Sequence, residues 1–438
     1  MPMNALSTDL YQLTMVAGYF HRKVLDTRAT FELFVRRLPR NRHLLVSAGL
    51  DQALSYLERL QFGADEIAWL RGVPAFAAVP SPFFDYLRSF RFSGDVWAMP
   101  EGTPFFPGEP VMRVSAPIAE AQLVETALLA FVNFQTTVAS KALRIVRAAA
   151  GRPVMEFGAR RAHGLEAALF AARSAYLAGC DATSFVEAGR QFAIPLAGTM
   201  AHSWILAAPS ELEAFTSYAS LFGEHTVLLV DTFDVDRATA TLVDSALRPQ
   251  GVRIDSGDLA ASARAVRDRL DRAGLTSTRI IVSGDLDEWK IAALVSARAP
   301  IDTFAVGTTL VTSDDAPALG GVYKLVEIEE GNTTRGVMKR SEGKATWPGR
   351  KQVWRVSTDG KAVRDVIALH DEPGPAAANP LLQQVMRGGS RTAAPTSLAN
   401  ARLHCRRMTD GLPESLLLLE GPAAYPVQLS DRLSALIR

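Results

Sequence analysis

Short apolar runs recur through the middle of the chain, and each ends in a polar cluster. Val154–Phe157 precedes Gly158-Ala159-Arg160-Arg161, Ile194–Ala197 precedes Gly198-Thr199-Met200-Ala201-His202, and Val227–Val230 precedes Asp231-Thr232. Val252–Ile254, around Arg253, precedes Asp255-Ser256-Gly257-Asp258; Ile280–Val282 precedes Ser283-Gly284-Asp285; Phe304–Val306 precedes Gly307-Thr308-Thr309. The runs are of strand length and fall roughly 20–40 residues apart, the beat of repeated βα units. Between them Ala260–Ala273 and Leu286–Ala297 alternate apolar and charged positions at helical period. The pattern predicts an α/β fold with a parallel barrel over about 151–315 and a site at the carboxyl ends of its strands.

The flanks read differently. Residues 5–20 predict an amphipathic helix capped by Ser7 or Thr8, Thr30–Val35 a strand, and Leu44–Leu60 a helix. Pro74–Pro82 reads as a Pro-broken linker, and residues 90–117 carry the turn signals of a small β-rich module. Ala119–Ala150, almost free of Gly and Pro, predicts one or two buried helices leading into the barrel. After Gly320-Gly321, strands are expected at Val322–Ile328 and Val353–Val356, a loop at Glu372–Pro380 and a final helix at Ser430–Ile437. The basic stretch 331–361 (Thr333, Arg335, Lys339, Arg340, Lys344, Arg350, Lys351) reads as a solvated loop or as positive charge brought to an anion.

Composition narrows the function classes. A chain of 438 residues exceeds one typical domain. Its net charge of +1 points to neither nucleic acid nor a membrane surface, so any anion site must be local. Two cysteines, Cys180 and Cys405, make neither a disulfide framework nor a metal motif and fit a reducing compartment. With no signal-like N-terminus and no apolar run near the roughly 20 residues of a bilayer span, a soluble cytoplasmic protein is expected.

The clusters carry the chemistry. Arg160 and Arg161 follow a strand-ending Gly, where planar guanidinium forks meet phosphate oxygens, and Phe157 before them can stack on a flat ring; a solvated Arg pair beside a core Phe is the plainer reading. Thr199 and His202 lie one turn apart if their segment opens a helix, so the imidazole can be a base, a nucleophile or a structural residue. Asp231 ends an apolar strand, a costly place for an unpaired carboxylate; it either orients an imidazole or caps a helix. Arg253 and Asp255 share one strand face by the period of two, suiting a ligand with negative charge and hydroxyls, while Asp258 caps the next helix or binds a metal. Gly284-Asp285 and Gly307-Thr308 permit close backbone approach to phosphate.

Taken in order, these motifs resemble the nicotinate phosphoribosyltransferase family. Thr8-Asp9-Leu10-Tyr11-Gln12, Phe157–Arg161, Gly198–Ser203, Arg253–Leu259, Ser283–Asp285, Val306–Thr312 and Gly321–Val326 carry the resemblance over about 6–326, with a further match at Tyr425–Ser430. It implies ATP-coupled transfer of a phosphoribosyl group from phosphoribosyl pyrophosphate to nicotinate, giving nicotinate mononucleotide and pyrophosphate, with His202 phosphorylated and Asp231 supporting its imidazole. Tyr11 would stack on the pyridine from a partner subunit opposite Phe157, and Thr199 and Arg253 would contact nicotinate. Arg160 with Arg161, Asp255, Gly284, Asp285, Gly307 and Thr308 would hold the phosphoribosyl and phosphate groups. Mg2+ would ride mainly on phosphates, without a dedicated protein cage. The implied layout is an α+β domain at 1–118, an irregular α/β barrel at 119–320 and a β-containing extension at 321–438 packing on the first domain, in a homodimer with shared sites.

Three rivals stand beside this reading: a relative using nicotinamide or quinolinate, a non-catalytic binding protein on the same barrel, and a sugar-phosphate aldolase. The aldolase needs a buried strand-end Lys, and none of the six clusters has one.

Overall fold

The computed structural model describes residues 4–331, 333–339, 346–421 and 424–437. It divides into two compact units, one running to Thr137 and resuming at Ala318, the other spanning Val138–Pro317.

The Val138–Pro317 unit is built on six parallel strands. Across the sheet they run Ala182–Thr183, Val154–Glu156, Thr303–Val306, Arg279–Val282, Gly251–Ile254 and Val227–Leu229. The last of the six in chain order, Thr303–Val306, thus lies beside the first, Val154–Glu156, as it does in a barrel. Among the described residues no ladder joins Ala182–Thr183 to Val227–Leu229, so the sheet is open there and not the closed ring expected. Helices Leu165–Leu177, Val186–Phe192, Val235–Asp244, Leu259–Arg272 and Glu288–Ser296 alternate with the strands.

One run behaves differently from its expectation. Ile194–Ala197 forms no strand; Leu196 makes a single parallel bridge to Thr183. Pro195 at its centre has no N–H to donate, which stops a ladder from growing. The strand beside it is Ala182–Thr183, too short to stand out in the sequence.

The other unit carries a seven-stranded antiparallel sheet in which Arg28–Val35 sits between Gly321–Glu330 and Pro110–Pro117. A four-stranded sheet of Ala378–Pro380, Lys351–Thr358, Lys361–Leu369 and Val427–Leu429 belongs to the same unit. The first helix starts at Leu10 behind Asp9, later than expected, because the Thr8 hydroxyl donates to the Leu123 carbonyl and does not cap the helix. Pro74–Pro82 is no linker: a 3-10 turn at Pro74–Phe76 leads into helix Ser81–Ser89, and Phe76, Phe83 and Phe84 are core. Ala119–Ala150 resolves into helices Ile118–Leu123 and Glu125–Ala148.

Of the basic stretch 331–361, Arg340 and Lys344 lie outside the described residues. Lys351 is buried, its ammonium 2.9 Å from Glu32, and Arg350 lies 2.7 Å from Glu327. Thr333–Gly336 is an exposed edge strand. These cations are therefore partly internal fasteners and not a uniformly solvated loop.

Candidate active site

Polar side chains converge at the carboxyl ends of the parallel strands, and two carboxylates organise them. Asp231, just past Val227–Leu229, uses Oδ2 to accept from the Asp255 backbone N–H at 2.9 Å and from Ser256 Oγ at 2.6 Å. Its Oδ1 makes no hydrogen bond among the described residues and lies 3.3 Å from His202 Nε2. Asp231 is 2% exposed, while the imidazole is 39% exposed. The cap of the following helix is Asp234, which accepts from the Arg237 N–H at 2.7 Å. The buried Asp231 is thus left to face the imidazole. Asp258 likewise caps helix Leu259–Arg272, accepting from the Ala261 N–H at 3.0 Å.

Arg253 and Asp255 do share one strand face. Arg253 Nε donates to Ser283 Oγ at 3.0 Å, Nη1 donates to the Met200 carbonyl at 3.2 Å, and Nη2 lies 3.3 Å from Asp255 Oδ1. Ser283 Oγ donates in turn to Asp255 Oδ1. Burial alone would raise the Asp255 carboxyl; the Ser283 hydrogen bond and the Arg253 charge, with a contribution from His202, outweigh it and hold it below the usual carboxylate range.

Two glycines are required by close approach. At Gly284 φ is +100°, and a Cβ would run into the Asp255 carbonyl. At Gly158 a Cβ would meet Val311 and the Gly307 carbonyl. Gly307 and Thr308 follow Thr303–Val306, and the Phe157 N–H donates to the Val306 carbonyl at 2.7 Å, so these turns interlock. Thr309 Oγ1 donates to the Leu286 carbonyl at 2.6 Å, which ties the 307–309 segment to the loop carrying Gly284 and Asp285.

Arg160 and Arg161 lie in the exposed turn Ala159–Arg161, and neither guanidinium has a partner among the described residues. They are the uncompensated cations of this unit's strand-end face. Phe157 and Thr199 line a cavity of about 370 Å³ with Met155, Leu196, Ile281 and Thr303. Tyr11 belongs to the other unit, on helix Leu10–His21, with its ring half exposed.

Three residues that sequence reasoning left without a role shape this region. Ser283 mediates between Arg253 and Asp255, and Ser256 donates to Asp231; their place in Ser-Gly-Asp and Asp-Ser-Gly turns was the available signal. Glu156 is 1% exposed and accepts from the Gly158 N–H and from Thr183 Oγ1, bracing the turn before Arg160. Its signal was a carboxylate inside an otherwise apolar run.

Burial raises the Glu156 carboxyl, opposed by the Thr183 and Gly158 hydrogen bonds. Its contribution to stability is complete below the ordinary Glu range and fades as pH climbs through the raised value. Glu156→Gln should therefore gain on the wild type as pH rises from about 5 to about 8. A relative gain of about 2–4 °C in melting temperature is expected. Thermal melts across that range check it, and a difference independent of pH would refute it.

Comparison with known proteins identifies the family. Family models described as the nicotinate phosphoribosyltransferase (NAPRTase) N-terminal domain, the NAPRTase family and the nicotinate phosphoribosyltransferase C-terminal domain match residues 6–133, 153–366 and 374–437. Nicotinate phosphoribosyltransferase pncB2 of Mycobacterium tuberculosis is 46% identical, over 98% of this chain and 92% of its own length. Nicotinate phosphoribosyltransferase of Bacillus subtilis is 42% identical, over 84% of this chain and 76% of its own. The crystal structure of human nicotinic acid phosphoribosyltransferase superposes with a TM-score of 0.84 at 29% identity, covering 98% of this chain and 99% of that one. With all three family segments matched in order and a relative 46% identical over nearly the whole chain, the chain belongs to the nicotinate phosphoribosyltransferase family.

Proposed function

We propose that the protein transfers a phosphoribosyl group from phosphoribosyl pyrophosphate to nicotinate, forming nicotinate mononucleotide and pyrophosphate for NAD salvage, with ATP hydrolysis coupled to the transfer. The observation that supports this reading is the linked set His202–Asp231–Ser256 and Arg253–Ser283–Asp255, with Arg160 and Arg161 unpaired past the carboxyl end of Val154–Glu156 in the same sheet.

In the transfer, the pyridine nitrogen bonds to the anomeric carbon as the carbon–oxygen bond to pyrophosphate breaks. The transition state is oxocarbenium-like, so positioning and neutralisation of the leaving group do most of the work. Arg160 and Arg161 meet the phosphates, with the backbone at Gly284 and Gly307 and the side chains of Asp285 and Thr308 completing the cradle. Asp255, kept ionised, accepts from a ribose hydroxyl. Phe157 stacks on the pyridine, and Arg253 with Thr199 receives its carboxylate.

In the coupled step His202 takes the terminal phosphoryl group of ATP and later yields it to water. With Nε2 turned to Asp231, Nδ1 is the nitrogen that bonds to phosphorus. Among the described residues no three His, Cys, Asp or Glu side chains cluster as a metal cage. Mg2+ fits as a companion of the diphosphate, balancing charge that the two guanidiniums do not.

We read the working form as a homodimer in which Tyr11 reaches the partner's pyridine. Large exposed apolar side chains in each unit separately support assembly: Leu10, Tyr11 and Met15 on the first helix of one, and Trp204, Leu206 and Phe222 in the other. The open parallel sheet is read as most of an irregular barrel. No described helix is long and apolar enough to cross a membrane. Both cysteines are buried and neither is in a disulfide, in keeping with a cytoplasmic enzyme.

A direct assay supplies phosphoribosyl pyrophosphate and Mg2+ with nicotinate, nicotinamide or quinolinate, with and without ATP, and quantifies mononucleotide and pyrophosphate. Nicotinate should be preferred by about 100-fold or more in kcat/KM, because nicotinamide brings no carboxylate to the Arg253 guanidinium and quinolinate adds a second one. Product formation from nicotinamide or quinolinate but not nicotinate would overturn the assignment.

A further inference from the structure

A buried ion cluster joins the two glycine loops through helix Glu125–Ala148, and the chemistry above makes no use of it. Lys141 Nζ lies 2.6 Å from Glu288 Oε2, 3.0 Å from Asp315 Oδ1 and 3.5 Å from Asp314 Oδ1. One turn along, Arg144 Nε donates to Glu288 Oε1 at 3.0 Å. The side chains of Lys141 and Glu288 are 2% and 0% exposed. Burial would raise the Glu288 carboxyl, but Lys141 and Arg144 hold it below the usual range.

The position of each acid gives the cluster its meaning. Glu288 opens the helix that follows Ser283-Gly284-Asp285. Asp314 and Asp315 follow the short helix Thr308–Thr312, with Ser313 in the left-handed region turning the chain between them. One ammonium therefore holds the far ends of both loops, whose near ends are joined by the Thr309–Leu286 hydrogen bond.

Stability is a poor explanation for such a cluster. A buried ion group gains little or nothing over apolar side chains of similar volume, because desolvation offsets the Coulombic attraction. What it supplies is geometry: an ammonium shared among carboxylates fixes their spacing, whereas apolar contacts can slide. It also neutralises acids close to a site that must accept a polyanion.

We propose that Lys141 is a positioning residue which, through Glu288 and Asp315, sets the spacing of the 283–285 and 307–308 loops and so governs affinity for the diphosphorylated sugar. This rests on the phosphate role assigned to those loops under the proposed function. Lys141 touches no reacting atom.

The test compares Lys141→Met, Asp315→Asn and the double variant Lys141→Met/Glu288→Gln in the full chain. Steady-state kinetics are read together with calorimetric binding of Mg2+–pyrophosphate and with thermal melts. Lys141→Met should raise KM for phosphoribosyl pyrophosphate about 10- to 100-fold and weaken pyrophosphate binding by a similar factor. Both kcat and KM for nicotinate should stay within about 3-fold. Asp315→Asn should do the same more weakly. The double variant, which removes the ammonium together with the carboxylate nearest it, should melt no lower than Lys141→Met and should not recover pyrophosphate affinity. That split separates positioning from mere structural support.

Unchanged pyrophosphate affinity in Lys141→Met, or in Asp315→Asn should the first variant fail to fold, overturns the proposal. Equal rises in both KM values, or full recovery of affinity in the double variant, also overturn it. A wild type that binds pyrophosphate but makes no nicotinate mononucleotide sinks the proposed reaction and leaves the binding comparison to decide on the clamp. A wild type that binds no pyrophosphate overturns both.

Discussion

His202→Ala should abolish ATP hydrolysis and ATP stimulation while slow, ATP-independent phosphoribosyl transfer persists. The imidazole is accessible on one side and faces a buried carboxylate on the other, the arrangement that activates a nitrogen nucleophile. Asp231 is already engaged through Oδ2 with the Asp255 N–H and Ser256, so its orientation does not depend on His202. Removing the ring therefore deletes the proposed phosphoryl acceptor and leaves the hydrogen bonds among Arg253, Ser283 and Asp255 in place. A loss of about 100-fold or more in ATP-stimulated turnover is expected, the scale of losing a nucleophile or its base. The measurement is product formation and phosphate release with nicotinate and phosphoribosyl pyrophosphate, with and without ATP. Equal stimulation by ATP in variant and wild type would remove His202 from the coupling step.

Gly284→Ala should damage both folding and binding. Gly284 sits at φ +100°, where an L side chain costs about 1–2 kcal/mol, and its added methyl would also collide with the Asp255 backbone. Backbone cannot yield as a flexible side-chain tip can, so a further cost of about 1–3 kcal/mol is expected. Because Asp255 is the residue displaced, KM for phosphoribosyl pyrophosphate should rise about 100-fold in whatever fraction folds. Gly257→Ala is the matched control: φ is +78°, but nothing lies within 4 Å of the new methyl. It should show the conformational cost alone. Wild-type melting temperature and kinetics in Gly284→Ala would mean that the loop does not cross Asp255 as described.

The contrast between these two glycines shows how far sequence reading reaches. Gly257 follows Asp255-Ser256 and Gly284 lies between Ser283 and Asp285, and of the two the sequence reading marks only Gly284 as a point of close backbone approach. That only one lies against another loop follows from how Arg279–Val282 pairs with Gly251–Ile254. The same holds for the acids: Asp231, Asp234 and Asp258 look alike as candidates for helix caps. Asp234 and Asp258 cap, while Asp231 faces an imidazole 29 positions earlier in the chain.

The sequence by itself determined the strand-ending clusters, the pairing of Arg253 and Asp255 on one strand face, and the family. Each depends on local periodicity or on motifs a few residues long, information that is contiguous in the chain. Tertiary structure alone decided that Thr303–Val306 lies beside Val154–Glu156, that Arg28–Val35 pairs with Gly321–Glu330, and that Lys141 reaches Glu288 and Asp315. Those contacts join residues far apart along the backbone, and no local pattern encodes which distant partner a buried charge or a strand edge will meet. That choice is made by packing, where every buried donor, acceptor and charge must be satisfied at once.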